Sequence, residues 1–168
     1  KEALAHPELF ERRTYVEDST LLHEFGIDIP GKQFFASGYL KLWPGDFIVE
    51  EVSPEGVVAT VTRENLLTHE TELSYAPTIY ATLVKCGIST IEAIDDMVAQ
   101  LGCERSAIGY VGIKDRDALT AQRISFRKFT PQKLKALSSP YFFLKDISES
   151  KGAIATGGLR GNRFTLLI

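Results

Sequence analysis

The sequence predicts an α+β fold, with a mixed or antiparallel sheet and helices on one face, from three observations. Several short runs are rich in β-branched and aromatic residues, which suit half-covered strands. One segment has the apolar spacing and the end signals of an amphipathic helix. Strands precede and follow the helices without a strict alternation of strand and helix, which argues against a regular parallel α/β fold.

The strands are predicted from short apolar stretches that turn signals separate. The turn Pro44-Gly45-Asp46 divides the first pair, in which Phe47–Val52 carries the β-branched residues of a pleated surface. Residues 107–111 are typical of a buried strand, and residues 122–127 alternate polar and apolar side chains as a half-covered strand does. In chain order, the predicted strands are 39–41, 47–52, 57–62, 78–86, 107–111, 122–127, 141–147 and 163–168, with 63–76 left unassigned.

The clearest helix begins at Ser89, because Ser89-Thr90-Ile91-Glu92 has the order of a capping box. Apolar residues then recur at steps of three and four as far as Leu101, and Gly102 offers a left-handed end. A short helix is predicted after Thr130-Pro131, since threonine can cap and proline is tolerated at the first helical position. Residues 1–36 show no sustained period and are predicted to be an arm or appendage of the main domain, 37–168.

The composition is that of one soluble domain. The 168 residues are 44% hydrophobic and 24% charged, which excludes collagenous and disordered chains and provides a core. No apolar run approaches the roughly 20 residues that cross a bilayer, and the first residues lack the order of a signal peptide. The sequence therefore predicts a cytoplasmic protein without a membrane partner.

Cysteine and histidine residues do not indicate a metal site. Cys86 and Cys103 stand in unrelated contexts, without a metal-binding or redox spacing, and are expected to be buried thiols. His6, His23 and His69 are too dispersed for a metal site or a catalytic triad.

Charge is unevenly distributed, although the net charge is only −3. Residues 1–108 carry 8 basic and 18 acidic side chains, whereas residues 109–168 carry 11 basic and 4 acidic side chains. One face of the fold could therefore meet a polyanion such as nucleic acid. Scattered, solvated charge is the simpler interpretation of this feature alone.

The most informative stretch is 112–122, which reads G-I-K-D-R-D-A-L-T-A-Q. Gly112 lets the backbone turn sharply after a buried strand, so that Lys114 and Asp115 project at the end of that strand. The flanking cations Lys114 and Arg116 would keep Asp115 ionised and available as a nucleophile or base. From the residues alone, a charged turn between two strands is the simpler alternative.

The stretch resembles the G-x-K-D-x-x-A-x-T-x-Q signature of the TruD family of tRNA pseudouridine synthases. Three further segments resemble the family in the same order, and together they extend the resemblance over residues 37–168. These segments are 38–51, the capped helix before the signature, and 159–166. The matching signature residues are Gly112, Lys114, Asp115, Ala118, Thr120 and Gln122.

The resemblance implies the N-terminal part of the TruD catalytic domain and isomerisation of uridine to pseudouridine in tRNA, without a metal or cofactor. Asp115 would be the essential carboxylate, attacking either the uracil ring or the ribose C1′. Lys114 would orient Asp115 or pair with it. Phe164 would stack on the uracil and Asn162 would help to hold it. The remaining substrate contacts that the resemblance implies are Lys41, Phe47, Thr120 and Gln122.

RNA binding also makes sense from the residues themselves. An enzyme that acts on a base in folded RNA must take the base out of its stack and hold it against an apolar or aromatic face. The segment Asn162-Arg163-Phe164 offers a ring beside an amide, although Phe164 could equally be a core residue and Asn162 a turn residue. Candidate contacts to the RNA backbone are Arg116, Arg123, Arg127, Lys128, Arg160 and Arg163.

Family members continue past 159–166 into a second motif, N-Y-F-G-x-Q-R-F-G, and an inserted domain. The chain is therefore expected to be either a fragment of a larger enzyme or a reduced relative with a half-built cleft. An incomplete cleft would limit turnover, because a preorganised pocket supplies much of catalysis. Two alternatives stay open: a noncatalytic RNA-binding module that kept the fold, and an interaction or structural domain in which Lys114-Asp115 is an ordinary turn.

Overall fold

The computed structural model describes residues 19–26, 41, 43–66, 77–150, 152–154 and 158–167. Six strands in these ranges form one sheet. They are β1 (Phe47–Val52), β2 (Thr78–Cys86), β3 (Ile108–Tyr110), β4 (Leu119–Arg127), β5 (Phe142–Ser150) and β6 (Gly161–Leu166).

The sheet is mixed. Its strand order is β5-β2-β4-β1-β6, and β3 pairs with β4 beside this path. The pair of β1 and β4 is parallel, whereas the other pairs are antiparallel. With helices added to this sheet, the predicted α+β class is confirmed.

The described part of the chain has three α-helices, α1 (Ser19–Glu24), α2 (Thr90–Leu101) and α3 (Pro131–Lys135), and two 3-10 helices, Pro44–Asp46 and Arg105–Ala107. The capping box of α2 is confirmed, because the Ser89 hydroxyl accepts from the Glu92 amide and the Glu92 carboxylate accepts from the Ser89 amide. Gly102 ends α2 in the left-handed conformation, with φ 60°. No helix in the described ranges is long and apolar enough to cross a bilayer.

The main core lies between α2 and one face of the sheet. Buried side chains from β2 and β4, such as Leu83 and Phe126, pack with Ile94 and Met97 of α2. A smaller apolar cluster on the opposite face contains Ala59, Val84 and Ala121. The sheet is therefore covered on both faces over β2 and β4.

Some predicted elements differ from the structure. Residues 57–62 do not form a strand. They make only an isolated β-bridge between Val58 and Val52 and a hydrogen bond from the Ala59 amide to the Glu51 carbonyl, and the segment then crosses the sheet. Lys41 is not in a strand, and residues 39–40 lie outside the described residues, as does most of the arm 1–36. Cys86 and Cys103 are free but only partly buried, since each lies at the end of an element.

Candidate active site

One face of the sheet brings together several residues that the sequence singled out. Side chains alternate between the two faces of a strand, so Val49 and Glu51 of β1 share a face. The antiparallel register places Phe164 beside Val49 and Asn162 beside Glu51. The parallel register places Thr120 beside Val49. These five residues therefore lie on one face of β6, β1 and β4, which we call the site face.

Asp115 lies in the loop 111–118, which connects β3 to β4 at the edge of the site face. Gly112 opens the loop with a φ of +69°, a conformation that glycine adopts without strain. The Asp115 side chain is 56% exposed, and its Oδ2 lies 3.3 Å from Nζ of Lys41. The loop therefore presents an accessible carboxylate next to a cation.

Lys41 links this carboxylate to two aromatic rings. Its Nζ lies 3.7 Å from the centre of the Phe47 ring, close enough for a cation–π interaction. The Phe47 and Phe164 rings are stacked, with centroids 6.0 Å apart and an interplanar angle of 20°. Phe164 is 56% exposed, whereas Phe47 is buried. We call Asp115, Lys41, Phe47 and Phe164 the Asp115 cluster.

Lys114 pairs with Glu51 and not with Asp115, so pairing, one of the two roles that the resemblance implied for it, is not observed. Its buried ammonium lies 3.3 Å from Oε2 of Glu51, which is also buried. The other Glu51 oxygen accepts from the amide of Arg123 at 3.2 Å. Desolvation by burial raises the pKa of Glu51, and Lys114 and the Arg123 amide oppose this rise. The neighbouring residues Lys114 and Asp115 therefore point to different environments.

Thr120 and Gln122 lie beneath the loop with no exposed surface. The Gln122 side-chain oxygen accepts from the hydroxyl of Thr90 at 2.8 Å, and the same hydroxyl accepts from the Lys114 amide at 2.9 Å. The Gln122 amide nitrogen donates to the carbonyl of Gly112 at 3.4 Å. The hydroxyl of Thr120 has no partner in the described structure. Gln122 thus ties the loop to α2 and β4, and neither side chain is open to a substrate.

Lys85, which the sequence interpretation did not single out, contacts the loop that carries Asp115. Its Nζ donates to the backbone carbonyl of Asp115 at 2.6 Å and to that of Ile88 at 2.9 Å. Desolvation by burial lowers the pKa of Lys85 to about 8. The available signal was a single cation within the apolar strand segment Thr78–Cys86.

The basic residues of the C-terminal third do not form one surface around Asp115. Arg116 is near the carboxylate in sequence and pairs with Glu92 at 3.1 Å. Arg163 pairs with Glu50 at 2.6 Å, on the face of β1 opposite the site face. The other candidates also lie away from the Asp115 cluster. The guanidinium of Arg123 lies over the Tyr80 ring, and Arg127 donates a hydrogen bond to the carbonyl of Ser106. Lys128 comes directly after Arg127 at the end of β4, and the backbone amide of Arg160 donates to the carbonyl of Val52.

Within the described ranges, no group of three or more His, Cys, Asp or Glu side chains is arranged to hold a metal ion. His23 is exposed. His6 and His69 lie outside the described residues.

Known proteins are similar to the part of the chain that contains the Asp115 cluster. A family model described as tRNA pseudouridine synthase D (TruD) matches residues 32–168. A Methanococcus vannielii protein named "Probable tRNA pseudouridine synthase D" is 36% identical over 131 residues, covering 78% of this chain and 33% of that protein. A Geobacter sp. (strain M21) protein named tRNA pseudouridine synthase D is 32% identical over 146 residues, covering 84% of this chain and 31% of that protein.

The fold is also similar to a solved structure. The crystal structure of a protein from Methanosarcina mazei assigned to TruD aligns with a TM-score of 0.66 and 23% identity, covering 84% of this chain and 29% of that chain. The chain spans about a third of the length of the curated relatives that it matches.

Proposed function

The chain belongs to the TruD family of tRNA pseudouridine synthases, and on that premise we propose that it supplies the catalytic carboxylate for isomerising uridine to pseudouridine in tRNA. One observation supports this proposal most directly. An accessible carboxylate, Asp115, lies against the Lys41 ammonium, which in turn lies over the Phe47 ring. Phe47 stacks with the exposed ring of Phe164. A carboxylate, a cation and an open aromatic face are the groups that chemistry on a flipped-out base requires.

The proposed reaction needs no oxidant, reductant or cofactor, because it is an isomerisation. The bond from uracil N1 to ribose C1′ breaks, the base turns, and a bond from C5 to C1′ forms. The proton on C5 is lost and N1 gains one, so atoms and electrons balance. Asp115 would act as nucleophile either on the uracil ring or on C1′, and the bond that its carboxylate forms would break again before the product leaves. Both routes need an ionised, accessible carboxylate.

Lys41 and Phe164 have distinct roles in this proposal. Lys41 orients Asp115, because its Nζ lies 3.3 Å from one carboxylate oxygen. Phe164 offers an exposed ring on which a flipped uracil can stack, with Phe47 supporting that ring from one side. Asn162 lies two residues away on the same face and could donate to the uracil.

The buried signature residues are assigned to positioning. Lys114 and Gln122 hold the loop through Glu51 and Thr90 rather than through the substrate. Arg116 is the cation best placed for an RNA phosphate near Asp115. Arg116 pairs with Glu92 and Arg163 pairs with Glu50, but Arg163 makes its pair on the opposite face and is therefore less suited to that role.

The test is an assay of pseudouridine formation by the intact gene product on unmodified tRNA, with Asp115→Asn as the variant. The matched control is Asp117→Asn, since Asp117 is an exposed carboxylate of the same loop. We expect Asp115→Asn to lose at least about 10³-fold in rate with tRNA affinity retained, and Asp117→Asn to remain near wild type. Equal activity of Asp115→Asn and wild type would remove Asp115 from the mechanism.

The same assay separates the enzyme from a noncatalytic RNA-binding module. An intact product that binds tRNA with steep salt dependence but forms no pseudouridine would contradict the proposal.

A further inference from the structure

Lys85 is the penultimate residue of β2 and has one of the largest fully buried side chains of the described structure, with 1% exposure. Its ammonium donates to the carbonyls of Asp115, at 2.6 Å, and Ile88, at 2.9 Å. The first carbonyl belongs to the loop 111–118, and the second belongs to the turn that leads into α2. One cation therefore joins β2, the α2 N-terminal turn and the loop that carries the candidate carboxylate.

A buried ammonium is costly unless it serves a specific contact, because burial removes it from water. Among the described residues, no carboxylate oxygen lies within ion-pair distance of Lys85, and its two hydrogen-bond acceptors are both backbone carbonyls. Charge-assisted hydrogen bonds of this kind are short and directional. They can therefore fix the backbone of Asp115 more tightly than a neutral loop contact could.

Lys145 shows what a purely structural buried lysine does in the same sheet. It is also 1% exposed, and its Nζ donates to the carbonyl of Thr62 at 3.0 Å and to the hydroxyl of Thr60 at 3.0 Å. These contacts lie on the face opposite the site face. Lys145 thus matches Lys85 in residue type, burial and backbone contact, but it also pairs with Asp146 at 3.5 Å and has no link to Asp115.

We propose that Lys85 is a positioning residue for Asp115, which aims the carboxylate by holding the backbone carbonyl of the same residue. The proposal rests on the proposed function of Asp115. Misplacing a reacting group by about 1 Å can cost about 10²-fold in rate. Loss of the Lys85 contact is therefore expected to lower kcat and leave KM nearly unchanged.

The charge of Lys85 adds a pH signature. Desolvation lowers the pKa of Lys85 to about 8, while Asp115, Cys86 and Glu92 favour the ammonium and Lys114 opposes it. Below that pH the ammonium holds the carbonyl, and above it the neutral amine is a weaker donor. Activity should therefore fall as the pH rises through about 8.

The experiment compares Lys85→Met, Lys85→Arg and the control Lys145→Met in the intact gene product, with unmodified tRNA as substrate between pH 6.5 and 9.0. For Lys85→Met we expect kcat about 10²-fold lower, KM within about threefold, and no decline near pH 8. Arginine keeps its charge at all these pH values. Lys85→Arg should therefore recover part of the activity and also lose the decline.

The control and the loop itself provide independent readouts. Lys145→Met should lower the melting temperature but keep the wild-type kcat and the decline near pH 8. Amide hydrogen exchange of residues 112–118 should increase in Lys85→Met and not in Lys145→Met. The arginine variant keeps the test decisive if Lys85→Met does not fold.

Equal kcat losses in Lys85→Met and Lys145→Met would reduce Lys85 to a structural residue. Persistence of the decline near pH 8 in Lys85→Arg would assign the titration to another group, and either result overturns the proposal. An inactive wild-type protein would instead overturn the proposed function of Asp115. The two failures are therefore distinguishable.

Discussion

The ammonium of Lys114 lies 3.3 Å from a carboxylate oxygen of Glu51, and both side chains are almost wholly shielded from water. The adjacent residue, Asp115, is more than half exposed. One step along the backbone thus separates a buried ion pair from the candidate reactive group. The buried pair anchors the loop, and the exposed carboxylate remains free to meet a substrate.

Lys114→Met should destabilise the fold strongly, because it leaves Glu51 buried without its cation. Removing one partner of a buried pair costs about 3–5 kcal/mol, and we expect the free energy of unfolding at pH 7.5 to fall by about that amount. Urea unfolding would measure it. A loss below about 1 kcal/mol would contradict the buried pair.

The same variant should show a pH dependence with a definite sign. Burial already raises the pKa of Glu51, and removal of Lys114 raises it further. A raised pKa in the folded state stabilises the protein below the ordinary pKa of 4.5, and this stabilisation disappears as the pH rises through the folded pKa. The loss of unfolding free energy in Lys114→Met should therefore be smaller at acidic pH than at pH 7.5. A deficit that grows on acidification would be inconsistent with Glu51 as the stranded group.

Lys41→Met should separate activity from stability. The pair with Asp115 is partly exposed on both sides, and such pairs contribute about 0–1 kcal/mol to folding. We expect little change in melting temperature but a loss of about 10- to 100-fold in kcat, because Asp115 loses its neighbouring cation. Lys133→Met, which removes an exposed cation from α3, is the control and should remain active. Similar losses in both variants would point to a general effect of charge.

Phe164→Ala should weaken tRNA use without unfolding the protein, because the ring is 56% exposed. Stacking of a base on an aromatic ring is worth about 1–3 kcal/mol, so kcat/KM should fall about 10- to 100-fold. Phe164→Tyr keeps the ring and should stay within about threefold of wild type. If Phe164→Ala kept wild-type kcat/KM, the ring would not be the stacking platform.

Thr120→Val tests whether this side chain contacts substrate or only fills space. Its buried hydroxyl has no partner, so its removal should leave stability unchanged or raise it by up to about 1 kcal/mol. Gln122→Leu should instead lose about 1–3 kcal/mol, since it strands the hydroxyl of Thr90 and the carbonyl of Gly112. Thermal unfolding and the tRNA assay would measure both. A large activity loss in a stable Thr120→Val protein would restore the substrate-contact interpretation.

Gly112→Ala should be destabilising through the backbone alone. The φ of +69° disfavours an alanine by about 1–2 kcal/mol, while the nearest atom to an added Cβ, Nζ of Lys114, is 3.5 Å away and does not clash. Gly45→Ala is the control, since Gly45 has no positive φ and nothing within 4 Å of an added Cβ. Unfolding free energies would show the difference, and equal effects would contradict the strain argument.

Local patterns predicted the local elements well. The capping box of Ser89, the apolar spacing of α2 and the strand Thr78–Cys86 depend on residues close in sequence, and all are confirmed. Strand ends were less accurate, as in β4, which begins at Leu119 rather than at residue 122. Pairing with β1 and β2 extends this strand beyond its alternating segment.

Long-range partners could not be read from the sequence. Lys41 and Asp115 are 74 residues apart, and only the strand order brings them together. The parallel pairing of β1 and β4 likewise places Glu51, and not Asp115, at ion-pair distance from Lys114. Charged residues inside apolar strand segments, such as Glu51 and Lys85, were the signals that a search for buried ion partners could have used.

The position of β1 between β4 and β6 affects how the protein is made. Ile48 pairs with Leu119 on one side and Thr165 on the other, so β1 finds its first strand partner only after about 70 more residues have been synthesised. At roughly 5–20 residues per second, the ribosome needs about 4–14 s to deliver that partner. During this interval Phe47–Val52, with four apolar residues and two glutamates, has only its local contacts to Val58 and Ala59 and is open to intermolecular aggregation. A nascent-chain chaperone that covers this strand should therefore raise the yield of folded protein.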